Sequence, residues 1–513
     1  MSRTNALLRG FFTVGGWTLI SRITGFVRDI LIAAFLGAGP VAEAFLIAFS
    51  LPNMFRRFFG EGAFNMAFVP MFSKKLEAGD GAGEFARDAL SGLAAVLIVF
   101  TLLAQLFMPW LVWAMASGFQ GDARFDLAVG FGRITFPYIL LISLAALASG
   151  ALNATGRFMA AAAAPVALNV IFIAALLVAR RLGWDMGMTL VWAVPTAGVV
   201  QFAIVWVAAN RAGVRLIPRL PRLTPDLKRL AVIAAPAALA GGVVQINLLV
   251  GRQVASFFDG AIAWLNYADR LYQLPLGVVG VAIGVVLLPD LSRKLQSRDT
   301  AGAQDALNRA TEFSLVLTLP AAVALVVVPL PLISVLFQRG AFDATDAQMT
   351  AAALAVYGLG LPAFVLQKVL QPLYFAREDT KSPFRYALVS MVVNAGAAVG
   401  LALSIGYLAA AIGTTLAAWV MVLLLWRGSR KFGAAAQIDS RLKGILPKVM
   451  AACVVMGGAL WWLSWFLSPW FDVAGWRYVA LLALVLAGMV IYGSASVALG
   501  AYNLRRLRSS MRR

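Results

Sequence analysis

Apolar residues run along this chain in continuous stretches of about 20 residues, separated by short polar turns. The stretches lack the alternation of apolar and polar positions that marks a membrane-spanning β-strand, so they predict helices. We count about fourteen such helices. Their predicted centres lie near residues 24, 57, 102, 140, 170, 198, 242, 280, 322, 360, 392, 416, 456 and 485. The pattern therefore predicts an all-α polytopic membrane protein.

The composition agrees, since 61% of the residues are hydrophobic and only 13% are charged. The first apolar stretch has no small-residue cleavage site and contains arginines, so we expect it to be retained rather than removed as a signal peptide. The net charge of +20 would suit a nucleic-acid-binding protein, but the basic residues collect in alternate loops. This positive-inside pattern predicts cytoplasmic termini and no nucleic-acid partner, with RRLGWD as its one exception.

Several classes of enzyme are disfavoured by what the sequence lacks. Histidine is absent and Cys453 is the only cysteine, which removes His-based metal sites, His general bases and internal disulfides. No G-x-x-x-x-G-K-[ST] motif, long connecting loop or acidic metal cluster occurs, which argues against an ATP-driven pump or a membrane glycosyltransferase. We therefore expect a protein that is not an enzyme and that holds no metal or other cofactor.

The chain repeats itself with a period of about 220 residues. Gly37 precedes Pro52 by fifteen residues, and Gly260 precedes Pro275 by the same spacing. The segment PMFSKKL at 70–76 is mirrored by PDLSRKL at 289–295. An even number of helices in each copy, about six, predicts two lobes related by an axis along the membrane normal.

The repeat also sets the predicted domain boundaries. We expect a first lobe at 1–210, a cytoplasmic linker rich in Pro and Arg at 211–229, and a second lobe at 230–432. Two further helices and a basic cytoplasmic tail make up 433–513. Pattern alone does not assign a purpose to this last pair of helices.

Arginines interrupt the apolar stretches in the first two helices of each copy, at Arg22, Arg28, Arg56, Arg57 and Arg270. One charge at the centre of a bilayer costs about 3 kcal/mol on insertion scales. Several such charges predict a wet, positively charged cavity between the lobes. Because a guanidinium group forms bidentate bonds to phosphate and carboxylate and keeps its proton, the cargo is expected to be phosphorylated or polyanionic.

Within SRITGFVRD, Arg22 and Arg28 lie six residues apart, or about 120° apart on a straight helix. Both can line one cavity only if the helix is distorted, and Gly25 between them is the expected hinge. The alternative is that these arginines pair internally with Asp29 and join helices. The excess of positive over negative charge favours the interpretation as a cavity.

Within LPNMFRRFFGEGAF, Arg57 precedes Glu61 by four residues, the spacing of an ion pair within a helix. No acidic residue lies at that spacing from Arg56. We therefore predict that Arg56 contacts the cargo and that Arg57 is structural, with Pro52 as a kink in the same helix.

In the second copy Asp269 and Arg270 precede Pro275, the matching kink. Adjacent residues point about 100° apart, so Arg270 can line the cavity while Asp269 contacts another helix. Glu43 lies near the outer end of the second helix, and its position alone favours a solvated loop charge.

Five segments are specific enough to indicate a family: SRITGFVRD, AEAFLIAFSLPNMFRRFFGEGAFNMAFVP, YADRLYQLPLGVVGVAIGVVLLPDLS, LFQRGAFDATDAQMT and FAREDTKSP. With them the whole chain resembles the MurJ (MviN) family of bacterial lipid II flippases, in the multidrug/oligosaccharidyl-lipid/polysaccharide (MOP) exporter superfamily. The resemblance implies two six-helix lobes, a central cationic cavity, a groove for the lipid tail along the last two helices, and a location in the bacterial inner membrane.

By motif, the resemblance assigns substrate binding to Arg22, Arg28, Arg56 and Arg270, and supporting acidic positions to Asp29 and Glu43. Some family members are thought to hold sodium through intramembrane carboxylates, whereas Asn247 and Asn394 stand in the corresponding helices here. The resemblance therefore does not carry a sodium site over to these positions.

The expected activity is translocation of undecaprenyl-diphosphate-linked lipid II from the inner to the outer leaflet by alternating access, with the membrane potential resetting the empty cavity. Membrane lipids, lipid II and cell-wall synthases are the expected partners. Two alternatives share the fold: a flippase for another undecaprenyl-diphosphate oligosaccharide, and a drug or cation exporter of the MATE type. The exporter would need carboxylates in its cavity, where arginines predominate.

Overall fold

The computed structural model describes residues 3–57, 59, 63–297 and 299–501, without the side chains of 3–12, 63, 236–248, 278–286 and 288. The regular elements among these residues are helices joined by short loops. Their bounds are α1 Arg3–Leu36, α2 Pro40–Arg56, α3 Ala63–Ala78, α4 Ala82–Leu106, α5 Met108–Met115, α6 Ala123–Thr135, α7 Tyr138–Ala154, α8 Met159–Leu182, α9 Met186–Arg211, α10 Pro225–Ser256, α11 Ala261–Gln296, α12 Thr300–Val327, α13 Pro329–Phe337, α14 Ala344–Phe375, α15 Lys381–Ile405, α16 Leu408–Ser429, α17 Ser440–Phe466, α18 Ser468–Phe471 and α19 Trp476–Ala498.

The all-α membrane architecture is confirmed. Ten helical segments of the described residues are long and apolar enough to cross a bilayer. The count of fourteen spans stays a prediction. The segment predicted to centre near residue 57 includes α2, which ends at Arg56, and α3, which begins at Ala63. Pro52 and Pro275 lie inside α2 and α11, and both helices continue beyond them.

Helix ends follow local sequence signals. Carboxylate or hydroxyl side chains cap the N-termini of six helices, at Asp122, Asp185, Thr224, Asp299, Asp343 and Asp439. Each accepts a backbone N–H that would otherwise lack a partner in the first turn. Gly183 ends α8 in the left-handed conformation, with φ of 70°.

Contacts between Cα atoms divide the chain into two compact units, Met1–Ala263 with Arg339–Phe342, and Trp264–Gln338 with Asp343–Arg513. In the first unit α1 packs against α8, α2 against α6, and α10 against α3. Its core includes the rings of Phe45, Phe49, Tyr138 and Phe172. The lobe boundaries inferred from the repeat remain a prediction. They place most of α10 in the second lobe, whereas α10 belongs to the first of the two compact units.

In the second unit α14 packs against α12 and α16, and α15 packs against α16. The last pair of helices, α17 and α19, packs together and against α12. Val328, Met456, Leu460 and Leu484 form a buried cluster among these helices. The pair outside the repeat is therefore attached to the second unit through apolar packing.

Candidate substrate-binding site

Helix α1 carries the first candidate cluster, around Arg28. The Arg28 side chain is 8% exposed, and its Nε and Nη2 both donate to Asp29 Oδ1, at 2.9 and 2.7 Å. Its Nη1 donates to Asn169 Oδ1 of α8 at 2.9 Å. The guanidinium also lies over the ring of Phe172, 5.7 Å from the centroid. A buried cation is thus neutralised by its sequence neighbour and oriented by a second helix.

Asn169 is itself fixed in orientation. Its Nδ2 donates to Ser21 O at 2.9 Å and to Thr24 Oγ1 at 3.3 Å, so its Oδ1 is free to accept from Arg28. A Cβ atom at Gly25 would lie 3.3 Å from the Nδ2 atom. Glycine at this position therefore allows α8 to approach α1 closely enough for the bonds to form.

Arg22 has a different environment from Arg28. It is exposed, and no ion pair joins it to any residue that the structure describes. Helix α1 is continuous from Arg3 to Leu36, so the break expected at Gly25 is not seen. The two arginines point in different directions, as about 120° of separation on a straight helix requires. For Arg28, the pairing with Asp29 considered above is observed.

A second cluster in the same unit surrounds Glu43, which is 1% exposed. Its Oε2 accepts from Arg124 Nη1 at 3.0 Å, and its Oε1 accepts from the backbone N of Ile262 at 3.0 Å. Ile262 lies in the first turn of α11, so the carboxylate satisfies an N–H at a helix N-terminus. The expectation of a solvated loop charge at Glu43 was wrong, because the side chain is buried and paired.

Arg124 joins this cluster to two further carboxylates. Its Nε donates to Asp122 at 2.6 Å, and its Nη2 contacts Asp259 at 2.8 Å. The guanidinium stacks over Phe119, 4.5 Å from the ring centroid. Asp122 also accepts the backbone N–H of Arg124, which holds the pKa of that carboxyl below its ordinary value.

The remaining candidate arginines of the first unit lie at the end of α2. Arg56 is half-buried and Arg57 is exposed. Phe55 packs edge-on against Phe100, with centroids 4.9 Å apart, and against Phe136 at 5.9 Å. This packing fixes the helix end from which Arg56 projects. Glu61, the partner predicted for Arg57, lies outside the described residues.

In the second unit Asp269 and Arg270 are both half-buried on α11. Asp269 accepts a hydrogen bond from Gln273, one turn further along the same helix. Tyr272 packs between Tyr357 and Phe364, with centroid distances of 5.1 and 5.4 Å. The aromatic contacts anchor the turn that carries Arg270.

The structure thus brings Arg28 together with Asp29, and places Glu43 in a cluster of its own. Among the described residues no group of three or more His, Cys, Asp or Glu side chains could hold a metal ion. The side chain of Asn247 lies outside the described part. Asn394 is 1% exposed, and a Cβ atom at Gly413 of the neighbouring α16 would lie 2.8 Å from its Oδ1. No sodium site is assigned to these residues.

Comparison with known proteins gives a clear result. A family model described as "Lipid II flippase MurJ" matches residues 32–481. The chain belongs to this family. A Rhizobium meliloti (strain 1021) protein named "Probable lipid II flippase MurJ" is 45% identical, over 99% of this chain and 97% of the relative. A Burkholderia cenocepacia protein named "Lipid II flippase MurJ" is 36% identical, over 95% and 96% of the two chains.

Solved structures agree with this assignment. A structure titled "Lipid II flippase MurJ, inward closed conformation" matches with a TM-score of 0.77 and 25% identity, over 93% of this chain and 97% of that chain. An inward-facing MATE family transporter of the MOP superfamily matches with a TM-score of 0.68 and 15% identity, over 81% and 95%. The second likeness shows the shared fold alone. The protein is accordingly a multi-pass membrane protein of the MurJ family.

Asn169 and Arg124 are among the residues of these clusters that were missed in the sequence. A signal existed for Asn169, because a lone amide in an apolar helix commonly bonds a neighbouring helix. Arg124 gave a weaker signal, because it follows a helix-capping Asp122 in a polar loop and reads as a solvated residue. Its partner Glu43 is 81 positions away in the chain, and a single sequence does not reveal such a pairing.

Proposed function

We propose that this protein is a flippase that moves lipid II from the inner to the outer leaflet of the bacterial cytoplasmic membrane. The observation that carries the proposal is membership of the lipid II flippase MurJ family over residues 32–481. The arginines of α1, α2 and α11 supply groups that suit a diphosphate. Translocation breaks no covalent bond, so the proposed activity is transport and not catalysis.

The Arg28 cluster suits a site that must bind and release an anion. A guanidinium has five N–H donors, and described residues use three of those of Arg28. A diphosphate oxygen could accept from the other donors, or could displace the neutral Asn169 acceptor. Asp29 would keep the empty site close to electrical neutrality and would lower the desolvation penalty of the buried cation.

In the proposed cycle, Arg28 and Arg56 from the first half and Arg270 from the second bind the head group in one cavity, and Arg22 joins them when α1 bends at Gly25. Gly25, Pro52 and Pro275 are the proposed hinges, while Asp29, Glu43, Arg57, Glu61 and Asp269 support the site. The two halves rock to open the cavity outward, and the polyprenyl tail stays in lipid along α17 and α19. A negative-inside potential then draws the emptied cationic site back, at about 2.3 kcal/mol per charge per 100 mV.

The orientation with both termini in the cytoplasm is part of the same proposal, supported by the basic loops. No metal or other cofactor is required in this scheme, and sodium is not assigned a role. Cell-wall synthases are proposed as additional partners because they consume lipid II in the outer leaflet.

The decisive experiment uses two neighbouring arginines of α2. The purified protein is reconstituted into liposomes that contain labelled lipid II, and movement between leaflets is followed by accessibility of the label. We expect wild type and Arg57→Ala to flip the lipid and Arg56→Ala to lose most of the activity. The two variants remove the same charge from adjacent positions, so a general electrostatic effect would impair both.

Competing cargoes and the potential are tested in the same vesicles. Transport of a different undecaprenyl-diphosphate oligosaccharide, or of a cationic drug, in preference to lipid II would replace the proposed substrate. Flipping that continues undiminished after collapse of the membrane potential would reject the reset step but leave the substrate in place. Retention of flipping by Arg56→Ala would remove that residue from the site.

A further inference from the structure

The linker between α9 and α10, residues 212–224 and here called the strap, is bound tightly to the first unit. The indole N–H of Trp206 donates to Leu216 O at 2.7 Å. The backbone N of Arg219 donates to Ser91 Oγ at 3.0 Å, and its Nε donates to Asp88 Oδ1 at 2.7 Å. The strap therefore has a defined position against α4 and α9, although it forms no helix itself.

The strap has two distinct sides. Pro218 and Pro221 favour an extended polyproline II conformation, in which every third residue points the same way. Ile217, Leu220 and Leu223 follow this three-residue repeat and are 55%, 85% and 75% exposed. A row of large apolar side chains therefore points away from the first unit.

Two other residues of the strap, Leu216 and Arg219, point inward. Leu216 is 0% exposed, and Arg219, three residues later, is the residue that binds Asp88 on α4. Side-chain bonds from Trp206, Ser91 and Asp88 hold the strap in this orientation, and the apolar row is exposed as a result.

The depth of the strap follows from its anchor on α4. Asp88 is the last charged residue of that helix, and residues 89–106 carry no charge. Arg219 bonds to Asp88 and Ser91, where the polar start of α4 gives way to its apolar run. This boundary corresponds to the headgroup region of the bilayer. We therefore expect the anchor point of the strap to lie where the headgroups meet the acyl chains.

The surroundings of the strap are strongly basic. Exposed cations flank the apolar row, at Arg211, Arg215, Arg222, Lys228 and Arg229. Two nearby carboxylates are already paired, Asp88 with Arg219 and Asp226 with Lys75, and Glu84, whose carbonyl oxygen accepts from Arg219, is exposed. No ion pair neutralises the five flanking cations within the part of the chain that is described. Their charge complements the phosphate groups of acidic phospholipids.

We propose that the strap is an interfacial anchor for acidic phospholipids of the leaflet on its side of the membrane. Ile217, Leu220 and Leu223 insert beside the upper acyl chains, and Arg215 and Arg222 bind lipid phosphates. The cytoplasmic orientation proposed above makes this the inner leaflet. The anchor depends on the membrane location of the protein and is independent of its cargo.

The depth of the strap can be measured on the full-length protein in lipid nanodiscs. Cys453 is the only cysteine and is buried, so Cys453→Ala gives a background for single spin labels. Labels are placed at Leu220→Cys and Leu223→Cys, with Asp80→Cys in the exposed turn after α3 as the matched control. We expect oxygen to relax the two strap labels several-fold more than a water-soluble nickel chelate does, and the reverse at residue 80.

Lipid charge is then varied between phosphatidylglycerol and phosphatidylcholine. We expect deeper labels in phosphatidylglycerol, and loss of that difference in Arg215→Glu/Arg222→Glu. Strap labels that are accessible to the nickel chelate in both lipids would overturn the proposal. Equal depth in both lipids would reject its acidic-lipid part.

A protein partner is separated from lipid by the same labels. Labels that are in water in nanodiscs, but become protected when other membrane proteins are added, would identify a protein on the strap and reject the lipid anchor. No lipid II is present in these measurements. Failure of the anchor therefore leaves the proposed flippase activity untouched, and loss of flipping leaves the label depths unchanged.

Discussion

The Arg28 and Arg124 clusters of the first unit both bury an arginine, but they neutralise it in different ways. Arg28 has a single described carboxylate partner, its neighbour Asp29, and its other bond goes to the neutral amide of Asn169. Arg124 contacts three carboxylates, one through each of its nitrogen atoms. The first arrangement gives the cation one carboxylate, so a visiting anion meets little repulsion, whereas the three carboxylates of the second disfavour an anion. Burial of an arginine therefore does not by itself identify a binding site.

The largest expected effect comes from Arg124→Ala. This change leaves Glu43 buried without its cation, and removal of one partner of a buried pair costs about 3–5 kcal/mol. We expect a correspondingly large loss of the free energy of unfolding, measured on the purified protein in detergent. Arg133→Ala, an exposed arginine on the same helix, is the matched control and should change stability by no more than about 0.5 kcal/mol.

A loss of unfolding free energy in Arg124→Ala as small as that expected for Arg133→Ala would break the distinction between the clusters. Arg124 would then be dispensable for structure, and its three carboxylates would be no stronger a constraint than a solvated charge. A large loss of transport in Arg124→Ala without a loss of stability would instead move this cluster into the working site.

The next effect concerns the contact between Arg28 and Asn169. Arg28→Ala, Asn169→Ala and the double variant form a thermodynamic cycle, and we expect a coupling of about 1–3 kcal/mol because the two side chains are in direct contact. Lipid II flipping is measured on the same proteins. A diphosphate site predicts that Asn169→Ala retains more transport than Arg28→Ala, since only the arginine would contact the cargo.

A coupling near zero would mean that the bond between Nη1 and Oδ1 contributes nothing to folding. Equal transport in both single variants would remove Arg28 from the cargo site. The Arg28 cluster would then be a structural link between α1 and α8, similar in kind to the Arg124 cluster.

The sequence predicted a large part of the fold, because the dominant signal is local. Apolar runs, capping residues and arginines within the runs are visible in one chain, and so is a pair of neighbours such as Arg28 and Asp29. The internal repeat and the family resemblance also rest on motifs that stand in the sequence. The helical membrane architecture and the family follow from such features.

The pairings across helices could not be read in this way. Glu43 meets Arg124 and the first turn of α11 only after three separate segments have packed, and spacing alone made Glu43 a surface charge. The division of the chain near Ala263 likewise depends on tertiary contacts. The side of α1 that each arginine occupies depended on whether Gly25 breaks the helix, and helical spacing cannot show that.

A smaller effect is expected at Gly25, which sharpens the account of the Arg28 cluster. In Gly25→Ala the new Cβ atom meets Asn169, whose amide is already held by Ser21 and Thr24. We expect a loss of about 1 kcal/mol in the free energy of unfolding from this crowding. Gly16→Ala on the same helix meets nothing within 4 Å and should leave stability unchanged or slightly higher. Identical results at the two glycines would show that Asn169 moves freely and does not orient Arg28.

The smallest effect lies outside the membrane, at Asp379 in the turn between α14 and α15. The Asp379 carboxylate accepts from Lys431 Nζ at 2.7 Å and from the Ser382 backbone N at 3.0 Å, and these bonds lower its pKa from 3.8 to about 2. Because the pKa is lower in the folded state, the ionised Asp379 stabilises the protein at pH values above its unfolded-state pKa. This stabilisation is lost as the pH falls toward 2. We expect wild type to lose stability between pH 4 and pH 2 more steeply than Asp379→Asn, as measured by thermal unfolding in detergent. Asp472→Asn, at an exposed position, is the control and should follow wild type. If stability falls with pH as steeply in Asp379→Asn as in wild type, this solvent-accessible pair, unlike the two buried clusters, contributes nothing to stability.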